Sequence, residues 1–133
     1  MRQILLFSAL AALLALLSGC ALSTAQEDKA AYHKISAEEA YEMMASQEVV
    51  VVDVRTREEY DGGHIESAVL VPNESIGSET PEALPDKEAT LLVYCRSGRR
   101  SKDAAQKLLK LGYQSVYDFG GVIDWPYELV KEG

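Results

Sequence analysis

Few of the residues that usually announce chemistry are present in this chain. It has two cysteines, two histidines and one tryptophan in 133 residues. Two cysteines cannot make a disulfide framework, and neither His33 nor His64 has a partner at metal-ligand spacing. No internal repeat recurs, which excludes solenoids and arrays. The longest apolar run, Ile4 to Leu17, is interrupted only by Ser8. It is short of the ~20 residues that span a bilayer. Positive charge is also scarce: 13 Lys and Arg stand against 21 Asp and Glu, a formal net charge of −8. So acidic a chain is a poor nucleic-acid binder.

What is present falls into an N-terminal address and one domain. Arg2, the apolar run and Leu17-Ser18-Gly19-Cys20 read as a secretory signal peptide over residues 1–19. Leu-Ser-Gly-Cys resembles the bacterial lipobox. That resemblance implies cleavage before Cys20, diacylglycerol on its sulfur and an acyl chain, such as palmitate, on its amine. Loss of Arg2 with the leader moves the charge from −8 to −9. Two lipid chains anchor stably, at ~0.8 kcal/mol per buried CH₂. Ala21 after Cys20 resembles the outer-membrane sorting pattern of Gram-negative bacteria. The expected location is therefore a bacterial membrane surface, periplasmic in a Gram-negative cell. Residues 20–31 are polar and aperiodic, a lipidated tether. Residues 32–133 form the domain.

In the domain, Ser36-Ala37-Glu38-Glu39 is a capping-box signature, so a helix is expected over 37–46. Val49 to Val52 is β-branched without polar alternation, as in a strand buried on both faces. Arg57 to Tyr60 predicts a short helix closed by Gly62-Gly63, and Val69 to Pro72 a short strand. Pro81 and Pro85 break the connection 73–88, which has room for one short helix near 79–83. Thr90 to Tyr94 predicts a strand, 101–111 a helix ending at Gly112, and 113–119 a strand. A last helix is expected over 122–131, with Trp125 and Leu129 inward. Alternating strands and helices give an α/β domain with a mostly parallel sheet and helices on both faces.

The densest chemistry is Cys95-Arg96-Ser97-Gly98-Arg99-Arg100, between a strand and a helix. With Cys20 acylated, Cys95 has no partner in the chain, which marks a reactive thiol in an exported protein. A free thiol titrates near ~8.5, and a helix N-terminus or nearby arginine lowers that value. Successive backbone N–H groups can form a nest for an anion on the sulfur. Gly98 permits the required curl.

The segment 94–101 resembles the active-site loop of single-domain rhodaneses, the thiosulfate sulfurtransferases. Asp53-Val54-Arg55 with Glu58-Glu59-Tyr60, then Gly63-His64-Ile65, then Gly120-Gly121 with Trp125 match that family in order. The fold is shared with tyrosine phosphatases that carry Cys-x5-Arg. Here the residue after five intervening positions is Ser101, and the shorter loop suits a sulfane sulfur rather than a phosphoryl group. The resemblance implies a Cys95 persulfide, filled from thiosulfate or a persulfide donor and emptied by a thiophilic acceptor. Arg96 and Arg100 are expected to orient the anionic donor, with Ser97, Gly98 and a more solvent-facing Arg99 completing the loop. The resemblance makes Asp53 and Arg55 supports that brace the loop and border its pocket; as bare residues they read equally as exposed caps. His64 is expected to anchor a turn rather than act as a base, and Trp125 to be core or pocket wall. No cofactor, metal, nucleic acid or oligomer is implied. A second reading is a carrier or docking module that holds sulfur without turnover, and a phosphatase or arsenate reductase is a distant third.

Overall fold

The computed structural model describes residues 30–131. The leader, Cys20 and all of the tether before Ala30 lie outside them. Five parallel strands form one sheet in the order β1-β5-β4-β2-β3. They are β1 (His33–Lys34), β2 (Val50–Asp53), β3 (Val69–Leu70), β4 (Thr90–Cys95) and β5 (Ser115–Gly121). Helices α1 (Ala37–Ser46), α2 (Arg57–Asp61) and α3 (Arg99–Lys110) cover it.

Strand β4 is central, paired with β2 on one side and β5 on the other. Its side chains alternate between two cores, as the two-residue period of a strand requires. Leu91, Val93 and Cys95 join Ala104, Ala105 and Leu108 of α3. Leu92 and Tyr94 join Ala40 of α1, Tyr60 of α2, Phe119 and Trp125. Both faces are buried, so the apolar Val50-Val51-Val52 and Leu91-Leu92-Val93 runs need no polar alternation.

Helix α1 has the expected bounds and box. Ser36 N–H donates to Glu39 Oε2 at 2.7 Å, and Glu39 N–H donates to Ser36 Oγ at 3.0 Å. Thr56 and Glu59 form a second capping box on α2, a pattern the sequence reading passed over.

Several expectations are corrected. Helix α3 begins at Arg99, two residues early, because Gly98 at φ 100° turns the chain into the helix. The last helix is only a 3-10 turn, Val122–Asp124. Trp125 leaves it in extended conformation, and Pro126 has no N–H to continue it. Beyond it Val130 bridges antiparallel to His64, and Leu129 is 41% exposed rather than inward. The connection after β3 holds a 3-10 turn at Asn73–Ser75 and only a turn, not a helix, near residues 82–83. His33, expected at an edge, lies in the two-residue edge strand β1.

Candidate active site

Strand β4 delivers Cys95 to the carboxyl end of the sheet, and α3 starts four residues later. The pairing of β4 with β5 shifts register between Val93 and Cys95, which releases the chain into the loop. Cys95 is buried, at 1% exposure. Gly98 N–H donates to its Sγ at 3.0 Å. Burial pushes the thiol up, but the Ser101 hydroxyl and the Ser101, Gly98 and Ser97 amides outweigh it. The net result lies below the ordinary cysteine value. Of the amides expected to form a nest, that of Gly98 lies within hydrogen-bond distance of the sulfur.

Gly121 holds the loop from behind. A Cβ there would lie 2.2 Å from the Arg96 carbonyl oxygen and 2.6 Å from Ser97 Cα, both backbone. No other residue fits without moving the loop. Ile123 N–H donates to the Arg96 oxygen at 3.2 Å, so the 3-10 turn after β5 also ties it down.

The three loop arginines separate. Arg100 makes a forked pair with Glu59 of α2, Nη1–Oε1 2.7 Å and Nη2–Oε2 3.0 Å. The Arg100 guanidinium is the main cause that holds the Glu59 carboxyl down at about 2. Arg99 and Arg100 line a cavity of about 680 Å³ with Ser97, Asn73, Glu74 and Asp103. Arg96 is exposed and lies outside that lining. Arg99, expected to face only solvent, is exposed as well but borders the cavity. Among the described residues no carboxylate pairs with Arg96 or Arg99. Asn73 Nδ2–H donates to Asp103 Oδ2 at 2.9 Å, and Lys107 Nζ bonds Asn73 Oδ1 at 3.2 Å, fixing the far wall.

Asp53 and Arg55 are buried, at 0% and 5% exposure, and are not surface caps. Arg55 Nη2 donates to Asp53 Oδ2 at 2.7 Å and to the Gly63 carbonyl at 2.7 Å. Tyr94 Oη donates to the same Oδ2 at 2.7 Å and accepts from Ile65 N–H at 3.1 Å. The pair therefore braces the residue before Cys95 and the Gly63-His64-Ile65 turn. It does not border the cavity, because Tyr94 points to the sheet face opposite Cys95. His64 anchors that turn: its Nδ1 lies 2.9 Å from the Tyr60 carbonyl, its ring stacks on Tyr60 at 3.7 Å, and its backbone pairs with Val130. Trp125 is buried and also lines a groove of about 1010 Å³ with Tyr41, Tyr127 and Val51. That groove sits toward the start of β2, at the opposite end of the sheet from Cys95. Among the described residues no His, Cys, Asp and Glu cluster could hold a metal.

The sequence reading missed Glu59, Asn73, Glu74, Asp103 and Asp118 as parts of this region. Only two of them left a trace in it. Glu59 closes a capping box with Thr56, and Asp118 is a charge inside the apolar run Val116 to Phe119.

The Rhodanese-like domain family profile matches residues 36–126. The tRNA uridine(34) hydroxylase of Yersinia pestis is 30% identical over 106 residues, 76% of this chain and 30% of that protein. The chain thus spans under a third of the curated relatives it matches. Among solved structures, a rhodanese with anions from E. coli is 35% identical, with a TM-score of 0.57 over 62% of this chain and 98% of that one. A human single-domain sulfurtransferase, TSTD1, is 26% identical, with a TM-score of 0.62 over 69% and 93%.

Proposed function

This chain belongs to the rhodanese-like domain family, and from that premise we propose that it is a sulfurtransferase working through a persulfide on Cys95. The observation that carries the reading is the sulfur itself. It is recessed, lowered in pKa, and met by the Gly98 N–H at 3.0 Å at the head of α3. The Cys95 thiolate attacks the sulfane sulfur of thiosulfate. The sulfur–sulfur bond of the donor breaks, its electron pair leaves with sulfite, and Cys95 carries a persulfide anion. An acceptor thiolate then attacks the outer sulfur, leaves as a persulfide and restores the Cys95 thiolate. Cyanide in its place leaves as thiocyanate. The amides of residues 97, 98 and 101 stabilise the anionic intermediate without reorganising. Exposed Arg96 and Arg99 supply unpaired positive charge for an anionic donor, while Arg100 spends its fork on Glu59. The hydroxylation named for the Yersinia relative belongs to a much longer protein and is not carried over.

Intact mass of the protein before and after thiosulfate tests this. One added sulfur, about 32 Da by the chemistry of persulfide formation, should appear, and cyanide should remove it. The absence of any adduct on a reduced, reactive Cys95 would overturn turnover of thiosulfate and favour the carrier reading.

Location is a second part of the proposal. The lipobox-like Leu17-Ser18-Gly19-Cys20 supports export and acylation at Cys20. Cys20→Ser is expected to give a form released from the membrane or left unprocessed with its leader, read by detergent phase separation and intact mass. Unchanged partitioning of a processed protein would overturn it.

A further inference from the structure

Trp125 is the only tryptophan in the chain, and the sulfur chemistry does not use it. It is 9% exposed, yet its indole Nε1–H has no acceptor among the described residues. A buried donor without a partner is rare in a folded domain. Trp125 belongs to the wall of the groove of about 1010 Å³ at the end of the sheet away from Cys95. Two tyrosines of that wall complete an aromatic corner. Tyr41 stacks on Tyr127 with ring centroids 3.9 Å apart, and Tyr127 meets Trp125 edge to face at 4.9 Å. With one face on Tyr127, Tyr41 is still 46% exposed, so ring surface is left for a ligand.

The charges around this corner have one sign. Glu48, Glu66 and Glu128 line the groove, and all three are exposed. No lysine or arginine of the described residues lines it. Helix α1 ends there at Gln47 without a basic residue in its last turn, so the negative end of its dipole is uncompensated. Burial pushes the Tyr127 phenol up, and the Glu38 and Glu42 carboxylates push it the same way. Each of these features favours a cation: aromatic faces attract guanidinium and ammonium groups, and carboxylates pair with them. The same field turns other occupants away. A second copy of this chain, at a formal net charge of −8, is repelled, and so are nucleic acid and an anionic membrane. Lys29 of the tether is outweighed by Glu27 and Asp28 beside it. The groove is also at the upper end of the ~300–1,000 Å³ that encloses a small molecule. Its three carboxylates come from three separate segments, so they call for more than one positive charge.

We infer that this groove docks an extended, arginine-bearing segment of a partner protein, with one guanidinium on Tyr41 and further basic side chains on Glu48, Glu66 and Glu128. A segment seated against that wall brings backbone carbonyls, the acceptors that the Trp125 indole lacks. Docking there is separate from sulfur transfer and leaves the Cys95 loop open, since the groove lies at the other end of the sheet.

With one tryptophan in the chain, its emission reads this groove alone. The full chain is titrated with acetyl-Gly-Arg-Gly-Arg-Gly-Arg-Gly-amide and followed by tryptophan fluorescence and calorimetry. A saturable change is expected, with an affinity that falls as salt rises. The same peptide with lysine for arginine is expected to bind about threefold more weakly or worse, and with glutamate not at all. Tyr41→Ala should weaken binding about fivefold. Glu48→Gln, Glu66→Gln and Glu128→Gln together should weaken it about tenfold and flatten the salt dependence, with the fold intact because all three side chains are exposed. Glu79→Gln, exposed and outside the groove, should leave it unchanged. Should Tyr41→Ala not fold, the triple variant and the lysine peptide decide. Neither heat nor emission change with the arginine peptide overturns the docking. So does equal binding by the parent and the triple variant, which marks general attraction to an acidic chain, and so does a lysine peptide that binds as well. Arginine methyl ester binding as tightly as the peptide places a small organic cation in the groove and overturns the partner segment. An emission change on concentrating the protein alone seats a second copy there and overturns it too.

Discussion

Cys95→Ser is expected to lower kcat/KM for thiosulfate and cyanide by on the order of 10³-fold or more, while leaving the fold in place. The two halves of that expectation have separate grounds. A serine hydroxyl at this pH is not ionised, and the group that meets the Cys95 sulfur is the Gly98 backbone N–H, which cannot act as a base. The chemistry therefore stops with the sulfur. The structure tolerates the change because the new Oγ occupies nearly the same volume and can accept the same Gly98 N–H. The melting temperature should stay within a few degrees of the parent. Retained turnover would remove Cys95 from the mechanism. Loss of both turnover and the thermal transition would make the experiment one about folding, and Arg96→Ala, at an exposed side chain, would then be the gentler probe of the loop.

Arg55→Ala is expected to be the most damaging change outside the loop, at ~3–5 kcal/mol of folding stability. The guanidinium is the charged partner of a carboxylate that is 0% exposed. Without it Asp53 keeps only the Tyr94 hydroxyl and the backbone N–H of residue 55. The Gly63 carbonyl also loses its donor. Two buried acceptors are stranded by one substitution, and such a penalty is a large share of the ~5–15 kcal/mol that holds a domain together. Urea unfolding followed by far-UV circular dichroism measures it. Arg55→Lys keeps the charge but not the fork, so its midpoint should fall between those of the parent and Arg55→Ala. A midpoint for Arg55→Ala equal to that of the parent would show that the pair carries no stability.

Much of this was legible because it depends on neighbours in sequence. The valine run, the Ser36 capping box and the strand–cysteine–glycine–helix order are each local, and each appears where expected. What escaped was set by partners far along the chain. His33–Lys34 carries no strand signature and becomes one only because β5 lies beside it, 84 residues on. Asp118 reads as an odd charge in a strand until Tyr32 and Ser101 are brought to it. Arg96 is the one expected on the donor and Arg99 the one expected toward solvent, yet both are exposed and it is Arg99 that borders the cavity. Their surroundings diverge because Gly98 starts the helix between them and turns one onto the cavity wall. Arg100, chosen from the sequence to hold a donor, met Glu59 instead, 41 residues away.

The depth of Cys95 has a consequence for how the protein ages in air. At 1% exposure its sulfur lies on the floor of a loop whose rim is backbone and arginine. Two copies meeting in solution cannot bring these sulfurs to the ~2 Å of a covalent bond unless both loops open. A loop of this depth is open to small oxidants and closed to a second folded domain. Left under oxygen, this thiol is therefore expected to gain oxygen atoms one at a time rather than to couple two chains.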